Sequence, residues 1–110
     1  MNIKIQRLNN VFVKEISQII ANDIKNDDIK FVTITACVIS NDLSHAKVYF
    51  TVLDPTKQEI TTKALNNANS FIRTMLANKV DIRHTPELTF IYDTSIEKGQ
   101  RIETIIDKLN

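Results

Sequence analysis

The chain has 110 residues, 14 Lys and Arg against 13 Asp and Glu, and 43% apolar but only 6% aromatic side chains, with one Cys and one Gly. That length makes one domain with one core, and the lone Gly99 excludes Gly-rich phosphate loops, which need several glycines at fixed spacing. Cys37 has no partner for a disulfide or a Cys-x-x-Cys site, and His45 and His84 lack metal-ligand spacing, so no metal or cofactor is expected. The longest uncharged run, Phe31 to Asn41, is shorter than the ~18–20 residues of a membrane helix, and the N-terminus lacks an apolar signal core. A cytoplasmic protein with no membrane partner is the expectation.

From Arg7 onward, Leu8, Val11, Phe12, Ile16, Ile19, Ile20 and Ile24 follow the i, i+3, i+4 spacing of an amphipathic helix, which ends at the polar turn Asn26-Asp27-Asp28. Phe31 to Ile39 switches to period two, placing Val32, Ile34, Ala36 and Val38 inward and Thr33, Thr35 and Cys37 outward. After the turn Ser40-Asn41-Asp42-Leu43, a second strand sets Ala46, Val48, Phe50 and Val52 against His45, Lys47, Tyr49 and Thr51. Asp54-Pro55 stops it, and Thr56 to Glu59 has the spacing of a capping box for a long helix. That helix buries Ile60, Ala64, Leu65, Ala68, Phe71, Ile72, Met75 and Leu76, and its opposite stripe is Lys63, Asn66, Asn67, Ser70, Arg73 and Thr74. A connector, Val80 to Thr85, leads through Pro86 into a third strand, Glu87 to Tyr92, with Leu88 and Phe90 inward. A short helical tail over about 95–110 completes a single domain spanning 1–110. The simplest architecture is α+β, a three-stranded sheet with its helices on one face.

Enzyme constellations fail on geometry. Adjacent strand residues such as Ser44 and His45 point to opposite sheet faces, and Glu87 and Asp93, at the two ends of one strand, stand ~20 Å apart. The cations are more informative. Residues 61–86 carry Lys63, Arg73, Lys79 and Arg83 against one acid, Asp81, with His84 and hydrogen-bonding Asn, Ser and Thr among them. Such a stripe suits phosphate and ribose, and it equally describes an ordinary solvated helix face.

The run Ser40-Asn41-Asp42-Leu43-Ser44-His45-Ala46-Lys47-Val48-Tyr49 resembles the hairpin signature of the ribosome-binding factor A family. So do Ala68-Asn69-Ser70-Phe71-Ile72-Arg73, Arg83-His84-Thr85-Pro86-Glu87-Leu88-Thr89-Phe90, Tyr92-Asp93 followed by Ser95, and the opening Arg7-Leu8 and Lys14-Glu15-Ile16. The resemblance runs in order along nearly the whole chain. It implies a type II KH-like fold, helix-strand-strand-helix-kink-helix-strand. The kink falls at Ala68, Asn69 and Ser70, where the family usually has Ala-x-Gly; a serine bonding back to an earlier carbonyl is expected to keep the bend, made shallower. Asn26-Asp27-Asp28 and Asp81 also depart from the family's Asp-Pro-Arg and Arg.

The function this resemblance implies is non-enzymatic. It is binding of the free 30S ribosomal subunit as a monomer, contact with 16S rRNA, and support of late 5′-end maturation, including in the cold, with assembly GTPases as further partners. The expected RNA-binding residues are Lys63, Asn67, Ser70, Arg73, Lys79, Arg83 and His84, with Arg7 and Lys14 as outliers. A stand-alone KH-type chaperone for single-stranded RNA is the alternative.

Overall fold

The computed structural model describes residues 3–95; the expected C-terminal helix lies outside the described residues. In chain order it contains α1 (Ile3–Asp23), a 3-10 turn at Asp27–Ile29, β1 (Val32–Ile39) and β2 (His45–Val52). A second 3-10 turn at Pro55–Lys57 precedes α2 (Gln58–Asn67), α3 (Asn69–Lys79) and β3 (Glu87–Tyr92). β1 and β2 form an antiparallel hairpin, and β3 pairs parallel to β2 in the sheet order β1-β2-β3. Parallel neighbours cannot be joined by a tight turn, so α2 and α3 form the crossover that brings the chain back to the start of β3.

One apolar face per strand dictates a helical layer on that side only. α1 packs over β1 and α3, and α2 over β3. The core between the layers is Phe12, Ile16 and Ile19 of α1, Leu65 of α2, Ile72 and Leu76 of α3, and Val48, Phe50 and Phe90 of the sheet, each at most 2% exposed. Burying a side chain of this size contributes about 1.5–3 kcal/mol. α1 starts about one turn before Arg7, because Ile5 and Leu8 extend the apolar stripe toward the hairpin tip.

The bend between α2 and α3 is present, and it falls at Ala68, with φ −87° and ψ 5°. The Ala68 N–H still donates to the carbonyls of Ala64 and Leu65, and its own carbonyl accepts from the Ile72 N–H at 3.0 Å. Since the hinge residue keeps a negative φ, glycine is not needed there, which explains why Ser70 is compatible with the fold.

Three expectations are corrected. In β1 the alternation slips at Thr35, where a bulge shifts the register between the pairs Ile34–Phe50 and Ala36–Tyr49. Beyond it every side chain changes face: Cys37 is buried and Val38 exposed, the reverse of an unbroken period of two. The capping box does not form. Asp54 instead accepts from the Thr56 N–H (3.0 Å) and Oγ1–H (2.7 Å), because the 3-10 turn at Pro55 delays α2 until Gln58 and uses Thr56 before the helix begins. Finally, Ile60 and Phe71 are exposed, because Thr61 and Leu65 form the inner row of α2, and the bend restarts the phase so that Ile72 and Leu76 form that of α3.

Candidate nucleic-acid interface

Three polar side chains on the α2–α3 segment turn toward the edge not occupied by β2 and bond the backbone of β3 and of the two residues before it. Asn66 Oδ1 accepts from the Phe90 N–H (3.0 Å), while its Nδ2 donates to the Phe90 carbonyl (3.3 Å) and to the Thr62 carbonyl (3.1 Å). Asn69 Nδ2 donates to the Leu88 carbonyl. Arg73 donates from Nε to the Pro86 carbonyl (3.1 Å) and from Nη2 to the Thr85 carbonyl (2.9 Å). The spacing 66, 69, 73 places these residues on one helical flank despite the bend, and the primary amide of Asn suits a strand residue that offers both a donor and an acceptor.

The adjacent flank faces solvent. Ser70, Arg73, Thr74 and Ala77 line a shallow groove whose opposite wall is Arg83, His84 and Thr85 of the connector. α3 and the connector that follows it thus fold back against each other to form the two walls, and Arg73 belongs to both arrangements. Arg83 and His84 are exposed, and Thr74 Oγ1 donates to the Ser70 carbonyl (2.9 Å). An arginine, a histidine and hydroxyls around an open groove can grip phosphate and ribose oxygens. The connector is ordered by Arg73, by the Ile82 N–H on the Val80 carbonyl (3.0 Å), and by the Glu87 N–H on the Ser44 carbonyl (3.0 Å).

Of the remaining expected site residues, Asn67 and Lys79 are exposed on the same two helices, and Lys79 at the α3 C-terminus also complements the helix dipole. Lys63 lies beside Phe90, Ile91 and Tyr92 at the far end of β3, on the order of 20 Å from Arg83 by strand rise. Arg7 and Lys14 lie on α1, outside the groove; Arg7 borders an apolar hollow with Ile5, Leu8, Val11 and Leu43. Composition alone missed Asn66 and Thr85. The sequence reading has Asn66 and Arg73 in the polar stripe and Asn69 at the kink; the i, i+3, i+7 spacing that joins the three is the signal for their shared flank.

The hairpin tip corrects one geometric expectation. Ser44 precedes β2 and sits in the turn, so its Oγ reaches 2.9 Å from His45 Nδ1. It is not a nucleophile–base pair, because the Ser44 hydroxyl donates to Asp42 Oδ1 (2.7 Å). Hydrogen bonds from the Ser44 side chain, then the Ser40 side chain and the Ser44 backbone, hold the Asp42 carboxyl down at about 2, far too weak a base for that proton. His45 Nε2 lies 3.4 Å from Glu87 Oε2, joining the starts of β2 and β3. Burial pushes the Cys37 thiol up to about 12.

A three-stranded α+β sheet covered on one face, with a bent helix pair crossing over to a parallel edge strand, is the type II KH-like class, here with a polar groove beside the bend. The ribosome-binding factor A family model matches residues 4–106. The chain belongs to that family. Ribosome-binding factor A of Legionella pneumophila is 44% identical over 105 residues (94% of this chain, 85% of that protein), and that of Staphylococcus epidermidis is 44% identical over 110 residues (99% and 95%). The solution structure of a putative ribosome-binding factor A from Thermotoga maritima aligns with TM-score 0.72 at 27% identity, covering 83% of this chain and 90% of that one. A Thermus thermophilus ribosome-binding factor A, a homology model fitted into the cryo-EM map of its 30S complex, aligns with TM-score 0.69 at 23% identity, covering 80% and 93%.

Proposed function

We propose that this chain is a non-enzymatic assembly factor that binds the free 30S subunit, contacts 16S rRNA through the α3–connector groove, and supports late 5′-end maturation, including at low temperature. The observation that carries this reading is the convergence of Ser70, Arg73 and Thr74 of α3 with Arg83 and His84 of the connector on one open surface. Family membership supports it, as does the fit of the Thermus relative into a 30S map. Lys79 and Asn67 extend the surface, and Lys63 meets RNA only if the ligand continues along the helix pair.

So few cations give weak counterion-driven affinity, so useful binding must come from fitting a structured rRNA surface. Cosedimentation tests this. The protein should pellet with free 30S subunits at moderate salt and not with whole ribosomes. Equal retention on any unstructured RNA would instead identify a general single-strand chaperone. Arg83→Glu should weaken 30S binding at least tenfold without changing the unfolding midpoint, and unchanged binding would remove the groove from consideration. Normal 16S 5′ ends at low temperature in cells lacking the protein would overturn the maturation role.

A further inference from the structure

The turn joining β1 to β2 is exposed, yet it is tied by a closed set of hydrogen bonds. Asp42 Oδ1 accepts from the Ser40 hydroxyl (2.7 Å), from the Ser44 hydroxyl (2.7 Å) and from the Ser44 N–H (3.1 Å), and Ser40 Oγ in turn accepts from the His45 N–H (3.1 Å). Leu43, inside this turn, has φ 62°, the left-handed region, a costly conformation for a bulky residue that persists only where its surroundings fix it. Each of these bonds is weak alone, but Ser44 is held through both its backbone and its hydroxyl.

The remaining groups of Ser44 lead to β3. Its carbonyl accepts from the Glu87 N–H (3.0 Å). With its proton committed to Asp42, its hydroxyl oxygen accepts from His45 Nδ1 (2.9 Å), and the other ring nitrogen of His45 faces Glu87 Oε2 (3.4 Å). Glu87 directly follows Thr85 and Pro86, whose carbonyls Arg73 holds from α3. Residues 85–87 are therefore pinned from two sides, by α3 and by the hairpin turn, and Arg83 and His84 are the two residues immediately before them. The connector belongs to neither α3 nor β3, so the position of its side chains depends on such anchors. We infer that the hairpin turn is a positioning element for the groove: Asp42, acting through Ser44 and Glu87, fixes where the wall carrying Arg83 and His84 stands, without itself contacting RNA. The inference rests on the RNA interface proposed above and names a further residue which that interface needs.

Two full-chain variants of equal charge separate positioning from electrostatics. Asp42→Ala and Asp42→Asn both remove a carboxylate, which by charge alone leaves phosphate binding unchanged or tighter. Only the amide keeps an Oδ1 acceptor for Ser40 and Ser44. In cosedimentation with free 30S subunits, Asp42→Ala should bind about fivefold more weakly than the parent, the scale of one surface interaction, at an unchanged salt slope. Asp42→Asn should stay within about twofold of the parent. Arg83→Ala is the reference, weakening binding with a shallower salt slope. As a measurement independent of RNA, Asp42→Ala in the free protein should move the amide resonances of Arg83, His84 and Glu87 and leave those of the buried Leu65 and Ile72 in place. If Arg83→Ala weakens binding and Asp42→Ala binds as well as Asp42→Asn or better, or if the connector resonances do not move, the inference is overturned and the interface stands. If Arg83→Ala binds like the parent, the interface itself is wrong and the inference falls with it.

Discussion

Replacing Arg73 with Met keeps most of the aliphatic stem and removes both guanidinium donors from the Thr85 and Pro86 carbonyls. A hydrogen bond from a charged donor contributes about 1.5–3 kcal/mol. Arg73 is half-buried, so water recovers part of each bond, and losing both should cost about 2 kcal/mol. At about 4–8 °C per kcal/mol for a domain of this size, Tm should fall on the order of 10 °C. Urea unfolding followed by far-UV circular dichroism measures it, with an unchanged m-value as the check that the unfolded state is comparable. Arg83→Ala is the companion. That side chain is exposed, so stability should stay within about 0.5 kcal/mol, while RNA affinity drops and the salt slope shrinks by about 0.7–0.9. If Arg73→Met unfolds within 0.5 kcal/mol of the parent and its RNA salt slope shrinks as for Arg83→Ala, Arg73 is a phosphate contact and not the clasp of the connector. Charge reversal at Arg73 is a poor probe for the same reason, since it damages the fold and the interface together.

Asn66→Ala removes the bonds to both backbone groups of Phe90 and should destabilise by about 1–2 kcal/mol, with amide exchange accelerating first in β3. Phe50→Ala empties a fully buried position whose ring meets Tyr92 edge-on at 5.8 Å between centroids, and should cost about 3–5 kcal/mol in urea. The Cys37 thiol, held near 12 by burial, should resist aromatic disulfide reagents at pH 8 in the folded protein and react fully in denaturant; rapid labelling of the native state would refute its burial. Because the folded pKa of Asp42 is lowered to about 2, its contribution is complete above about pH 4 and is lost as pH falls through 2. Carbon-detected NMR titration should place its midpoint near 2, and Asp42→Asn should remove that part of the acid dependence.

The order of elements, the faces of β2 and β3, and the bend near Ala68 were legible because each rests on local periodicity or on a pattern shared with relatives. The second half of β1 was not. Thr33-Ile34-Thr35-Ala36-Cys37 alternates perfectly on paper, and only pairing with Tyr49 and Phe50 across the hairpin reveals that Thr35 is surplus. The start of α2 is not legible in the sequence because Asp54 and Thr56 are both good capping residues, and the 3-10 turn at Pro55 makes Asp54 the cap. In the candidate site, the sequence identified which residues are basic and polar but not which way each points. Arg73 looked like its neighbours on the stripe, and its engagement with Thr85 and Pro86 depends on β3 arriving alongside α3, a long-range event with no local signature.

A sheet of three strands has two outer strands, and both are chemically occupied from the helical layer. Asn9 Oδ1 on α1 accepts from the Ile39 N–H of β1 at 3.0 Å, while Asn66, Asn69 and Arg73 engage the backbone around β3. An unprotected outer strand is a template on which another chain can add itself, the first step toward swapped dimers and fibrils. Asparagines and one arginine from the helices counter that hazard here without lysines or prolines in the two outer strands, β1 and β3. The prediction at Asn66 therefore extends to solution behaviour: Asn66→Ala should lower the concentration at which the protein begins to self-associate, a loss of colloidal stability that its folding free energy alone would not forecast.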